Sequence, residues 1–260
     1  MIQVKKIACT TNANAKNLVL IPGGPGLSSN TLRSLDLLSR SFHLHYVDFP
    51  GTNGNPYDHK RTFEELSDQL QKVIQSLDGK TIILGHSFGG FYAAYTALWS
   101  EAEGLICLSV PFSHKSLEAV NYQYALHMTP ELKEAESSWE KQPNDETFRR
   151  WLASYGKLYF SSQNGKELIL NDSTCFQSFL DNREDANQME SLLSKTSQNP
   201  IKKLFVAGLD DVLLPVEVLK EEASRGGFSF EVISNASHFS MFDQPESVAR
   251  LIEKYFAMET

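Results

Sequence analysis

Residues 81–100 form a run of twenty without a single Asp, Glu, Lys or Arg, reading TIILGHSFGGFYAAYTALWS. A segment of that length and composition either spans a membrane as a helix or is buried on all sides of a folded core. Its internal punctuation decides between them. A short apolar run, residues 81–84, gives way to Gly85, His86, Ser87, Gly89 and Gly90, and helical composition sets in only over residues 88–101. A chain broken in this way would leave backbone groups unpaired in a bilayer. The run therefore reads as a buried strand, a tight turn and a buried helix. The turn is G-x-S-x-G, Gly85-His86-Ser87-Phe88-Gly89. Its glycines permit a sharp strand-to-helix reversal that lifts the serine hydroxyl above the sheet. The backbone N–H of Phe88 and the positive end of the following helix then face any oxyanion that develops there.

The segments around this turn repeat its strand–helix alternation. Residues 18–21 (LVLI) read as a buried strand stopped by Pro22-Gly23-Gly24-Pro25-Gly26, and residues 42–49 as a second strand. Between them Leu32, Leu35 and Leu38 recur at helical spacing over residues 30–39. Thr62 and Glu65 form a capping box for a helix whose apolar stripe is Phe63, Leu66, Leu70, Val73, Ile74 and Leu77. Residues 105–110 are another strand. This order implies right-handed βαβ units and an α/β fold with a mostly parallel central sheet flanked by helices.

The alternation stops at residue 112 and resumes at residues 203–207 and 228–233, followed by a helix over residues 246–257. The expected division is a core of residues 1–111 and 200–260, interrupted by a helical cap, residues 112–199. That insertion is rich in aromatics (Tyr122, Tyr124, Trp139, Phe148, Trp151, Tyr155, Tyr159, Phe160), and it holds nine Lys and Arg against thirteen Asp and Glu, a local charge of −4. Half of the chain's net charge of −8 thus falls in about a third of its 260 residues. Such a balance, with no basic cluster, argues against a nucleic-acid partner. Three scattered cysteines and a polar start, Met-Ile-Gln-Val-Lys-Lys, suggest free thiols, no secretory signal and a cytoplasmic protein. No dinucleotide or P-loop fingerprint and no metal-ligand spacing is found, so no cofactor and no metal are expected.

Ser87 needs a base to act as a nucleophile, and the base needs a third group to orient it. Of seven histidines, only His238 lies well downstream of the turn in a loop, after the last strand and before the last helix. His86 adjoins the nucleophile and is read as its support. The acid belongs at a strand end between the two, where Gly208-Leu209-Asp210-Asp211 follows residues 204–207. Neighbouring side chains diverge, so one of the two aspartates is turned to the imidazole and the other to solvent.

These residues resemble the α/β-hydrolase superfamily in four elements that occur in its order: Ser87 in Gly85-His86-Ser87-Phe88-Gly89-Gly90, Asp211 in a G-x-x-D-x-x-x-P run from Gly208 to Pro215, His238 seven residues before Pro245, and the glycine loop after the first core strand. The resemblance implies a triad of Ser87, Asp211 and His238, with the backbone N–H groups of Gly24 and Phe88 as the oxyanion hole. The Gly23-Gly24-Pro25-Gly26 string with a helical insertion is similar to the proline iminopeptidase branch, although Pro22 stands where that branch usually has histidine. Two more departures are Ser237 in place of the usual glycine and an extra residue between Gly51 and Gly54. In that branch cap glutamates receive a free amine, which makes Glu140, beside Trp139, the expected substrate-binding pair.

The implied function is serine hydrolysis by acyl transfer on a small ester or amide, or on a short peptide, in the manner of an aminopeptidase. The alternatives are a carboxylesterase or thioesterase, a carbon–carbon bond hydrolase on the same site, and a non-catalytic ligand-binding member of the fold. The partners expected are small molecules or short peptides, with no nucleic acid and no membrane.

Overall fold

A computed structural model describes residues 1–162 and 164–256, with the side chains of 186–188 left aside. Seven strands and eleven α-helices occur in the described residues. The strands are β1 (Gln3–Ile7), β2 (Asn17–Ile21), β3 (His43–Asp48), β4 (Thr81–His86), β5 (Gly104–Leu108), β6 (Lys202–Gly208) and β7 (Ser229–Ile233). They form one sheet in the order β1-β3-β2-β4-β5-β6-β7. Only β1 runs antiparallel to its neighbour; the other five pairings are parallel.

Alternation along the strands supplies both faces of the sheet. Val19, Ile21, Val47, Ile83, Leu105, Cys107, Phe205 and Ala207 face one way, onto α1 (Phe63–Gln75) and α2 (Gly89–Trp99). Leu18, Leu20, Leu44, Tyr46, Ile82, Leu84, Ile106, Leu108, Leu204 and Val206 face the other way. There they meet a 3-10 segment (Ser29–Arg40) and the closing helix (Pro245–Phe256). The Thr62–Glu65 capping box is formed, with both reciprocal hydrogen bonds present.

Between β5 and β6 the chain builds α3 (His114–Leu126), α4 (Pro130–Lys141), α5 (Asp145–Ser154), α6 (Gly165–Leu170), α7 (Phe176–Asn182) and α8 (Glu190–Gln198). These helices have no separate core. Phe148, Leu152 and Phe160 share one apolar cluster with the sheet, and Leu132, Leu192 and Leu193 share the other. After β6 come α9 (Val216–Gly226), β7, α10 (Ser240–Asp243) and α11 (Pro245–Phe256).

The expected strands and helices are present, with ends shifted by a few residues. The strand β1 was not expected. Its Lys5 and Lys6 are the residues an edge strand uses to discourage further pairing, so its sequence looks like a polar leader.

Candidate active site

Every group that the sequence assigned to catalysis sits at a carboxyl end of a parallel strand, where ligands bind in open α/β sheets. Gly24 follows β2, Ser87 follows β4, Asp211 follows β6 and His238 follows β7. At Ser87 the backbone adopts φ of 49°, a left-handed conformation unusual for a residue with a Cβ. The N–H of Ser87 donates to the carbonyl of Leu108 on β5 at 2.9 Å. A Cβ on Gly85 would overlap the backbone of Gly89 and Gly90, and one on Gly89 would overlap the carbonyl of Pro22. Strand end, first helical turn and glycine loop therefore meet backbone to backbone, which no larger residue permits.

His238 and Asp211 are brought together in the interior. Nδ1 of His238 lies 3.1 Å from Oδ2 of Asp211, and both residues are at most 5% exposed. The other oxygen of Asp211 accepts the N–H of Leu214 at 3.0 Å, which fixes the carboxylate plane. A carboxylate only accepts, so Nδ1 carries the proton and Nε2 is left with its lone pair. Asp210 is exposed, as its divergence from Asp211 requires. Ser87 and His238 open into the same cavity, and of the two contacts that a Ser-His-Asp relay needs, the one formed is between histidine and aspartate.

His86 is fully buried behind the pair. Its Nε2 lies 3.1 Å from the backbone carbonyl of His238, so Nε2–H donates, and Nδ1 has no protein partner. Burial, reinforced by neighbouring His238, pushes its pKa well below the ordinary imidazole value. His86 is thus a neutral strut holding the backbone of His238. The ring of Tyr159 stacks on His238 at 5.4 Å and 24°.

The cavity above Ser87 has a volume of about 150 Å³. Its lining is Gly24, Leu27, His86, Ser87, Phe148, Trp151, Leu152, Tyr155, Tyr159, Ile169, Phe179, His238 and Phe239, with no Asp, Glu, Lys or Arg. Phe148, Trp151, Leu152, Tyr155 and Tyr159 form one face at helical spacing, a signal legible in the sequence but indistinguishable there from a core-facing stripe. The Gly24 backbone reaches this cavity with φ of 123°, and Phe88 is the N-cap of α2, where N–H groups lack intrahelical acceptors.

The expected substrate-binding pair is not in this lining. Glu140 is exposed on the last turn of α4. Trp139 is buried behind the wall, stacked on Trp151 at 5.9 Å and packed on Phe148 at 5.2 Å. On α4 the two residues are adjacent and so point about 100° apart. Burying the tryptophan turns the glutamate outward.

Among the described residues no group of three His, Cys, Asp or Glu is arranged to hold a metal ion, and no helix is long and apolar enough to cross a membrane.

A family model described as the alpha/beta hydrolase family matches residues 18–251. The chain belongs to the alpha/beta hydrolase family. This membership makes it a hydrolase. A curated relative, the pimeloyl-[acyl-carrier protein] methyl ester esterase of Edwardsiella ictaluri (strain 93-146), is 34% identical over 103 residues; that match spans 38% of this chain and 38% of the relative. Among solved structures, an esterase from Exiguobacterium antarcticum aligns over 98% of this chain and 94% of its own, with TM-score 0.72 and 17% identity. The proline iminopeptidase of Mycobacterium smegmatis aligns over 98% and 93%, with TM-score 0.70 and 16% identity. At those identities the two structures speak for the shared alpha/beta hydrolase fold.

Proposed function

We propose that this hydrolase cleaves carboxyl esters of small uncharged acyl groups by acyl transfer through Ser87. His238 takes the serine proton through Nε2 as Ser87 Oγ attacks the ester carbonyl, and Asp211 holds the imidazole in the tautomer this requires. The N–H groups of Gly24 and Phe88 receive the developing oxyanion. The protonated imidazole returns its proton to the departing alcohol, and water then releases the acyl group by the same steps in reverse. The helices of residues 112–199 act as the cap that walls the site from solvent.

The observation that carries this reading is the uncharged cavity into which Ser87 and His238 open. A free N-terminal amine buried there would find no carboxylate to pair with, and burying an unpaired ammonium costs several kcal/mol. An apolar acyl group meets no such penalty. An apolar cavity of about 150 Å³ accepts a group of roughly benzene size, so acyl chains of a few carbons fit and long chains do not. The curated ester-cleaving relative supports the same bond class.

The test compares p-nitrophenyl acetate, butyrate, benzoate and laurate with prolyl and alanyl p-nitroanilides, using Ser87→Ala as control. The expected result is turnover of the short esters and benzoate, little with laurate and the anilides, and none with the variant. Anilide turnover above that of the short esters would reverse the assignment.

A further inference from the structure

The oxyanion loop is held from two sides by buried carboxylates, and one of them belongs to the helical insertion. The N–H of Ser29 donates to Asp48 Oδ1 at 2.9 Å, a contact within the core. The preceding N–H, that of Ser28, donates to Asp172 Oδ2 at 2.9 Å, and the Ser28 hydroxyl also bonds the carboxylate of Asp172. Asp172 is 4% exposed and Ser28 is fully buried. Burial raises the pKa of Asp172, while the Ser28 hydroxyl and backbone N–H oppose that rise by stabilising the carboxylate. Desolvating a carboxylate in the insertion is costly unless such bonds offset it.

Asp172 heads a strap, residues 172–175, between α6 and α7. The N–H of Cys175 donates to the carbonyl of Gly26 at 2.8 Å, and a Cβ on Gly26 would overlap the Cys175 carbonyl. The Asn53 N–H donates to Ser173 Oγ at 2.8 Å, which ties the strap to the neighbouring core loop. At its far end the Phe176 N–H donates to Asp145 Oδ1 at 2.7 Å, at the start of α5. That helix carries Phe148, Trp151 and Leu152 of the cavity wall. One continuous set of bonds therefore links the wall that would touch the acyl group to the loop carrying Gly24.

We propose that Asp172 is a positioning residue for the oxyanion hole, the strap holding the loop of Gly24 through Ser28 and Gly26. The inference rests on the acyl-transfer reading above and deepens it. A loop released by Asp172→Ala would misplace the Gly24 N–H relative to the oxyanion but leave the acyl pocket formed, so kcat falls and KM does not. Displacements of about 1 Å, or loss of one oxyanion donor, cost on the order of a hundredfold. Asp172→Asn still offers an acceptor to the Ser28 N–H and a donor to Ser28 Oγ.

The test measures kcat per active site titrated with a fluorophosphonate, KM, and inhibition by a trifluoromethyl ketone, which forms a hemiketal oxyanion on the serine. For Asp172→Ala the expected result is about a hundredfold loss of kcat per titrated site, a parallel loss of ketone affinity, and KM within twofold. Asp172→Asn restores kcat to within about tenfold of the parent. Should Asp172→Ala yield no soluble protein, Ser28→Ala removes the hydroxyl half of the grip and lowers kcat per site by about tenfold. Titrated sites working at the parental rate in these variants overturn the inference alone, because that result assigns the strap a purely structural role. A parent protein that takes up no fluorophosphonate at Ser87 overturns the acyl-transfer reading and the inference with it.

Discussion

Ser87, Asp211 and His238 differ in how much of the fold each needs. Ser87 is placed by a local turn, whereas His238 is held by three separate elements: Asp211 after β6, the His86 ring at the end of β4 and the Tyr159 ring from residues 112–199. In Asp211→Asn the amide presents a donor to Nδ1 and favours the wrong tautomer, so kcat falls by about 10⁴ with KM little changed. Steady-state kinetics on a short ester checks it, and a loss of less than tenfold contradicts the role. Buried histidines also set a pH signature. Burial, reinforced by the neighbouring Lys6 and His43, takes the pKa of His45 down to about 4, with Nε2 bonded to Oδ1 of Asn17 at 2.9 Å. A depressed histidine contributes stability that is whole above the unfolded pKa near 6.5 and is lost as pH falls towards 4, by about 1.4 kcal/mol per pH unit. Buried Asp172 and Glu222, whose pKa values are raised, act in the opposite sense at the acid end. Urea midpoints of the parent and His45→Gln between pH 7 and 5 separate the two, with the parent expected to fall more steeply. Equal slopes would contradict the assignment. The residues of the proposed triad were legible because each follows a strand in a short local context. Asp172 was not, because a single aspartate in a polar loop carries no sign of the Ser28 N–H, 144 residues earlier in the chain, that it grips.

At the level of elements, the twenty uncharged residues resolve into β4, the Ser87 turn and α2, buried along almost their whole length. The turn is under steric limits that side-chain chemistry alone does not show. Gly89→Ala drives a methyl group into the carbonyl of Pro22, a backbone atom that cannot swing aside. The expected cost is about 3 kcal/mol or more, read as a shift in the urea midpoint, and a change below 1 kcal/mol would contradict this packing. The stripe on α5 and the segment after it shows why the cavity wall was harder to read than the sheet. Periodicity reports that Phe148, Trp151, Leu152 and Tyr155 share a face, and the same spacing serves a core or a cavity wall. Glu140 lies outside the cavity lining for a related reason: burying its neighbour Trp139 in the aromatic cluster leaves the glutamate on the solvent side.

Across the whole molecule, the helices of residues 112–199 and the sheet share their apolar clusters and form one continuous packed unit. Two of the three tryptophans, Trp139 and Trp151, lie in the insertion, while far-ultraviolet circular dichroism reports on all the helices and the sheet. Their urea transitions are expected to coincide; an earlier fluorescence transition would mean that the insertion unfolds by itself. The net charge of −8 does not reach the cavity, whose lining is uncharged, and Glu140 of α4 lies exposed outside that lining. The assembled site instead makes one chemical claim, that Ser87 carries the acyl group during turnover. Intact-protein and peptide mass spectrometry after rapid mixing with p-nitrophenyl butyrate and acid quench tests it most directly. A single butyryl adduct is expected on the peptide containing Ser87, and none in Ser87→Ala. Turnover without that adduct at any quench time, or an equal adduct on the alanine variant, would contradict it.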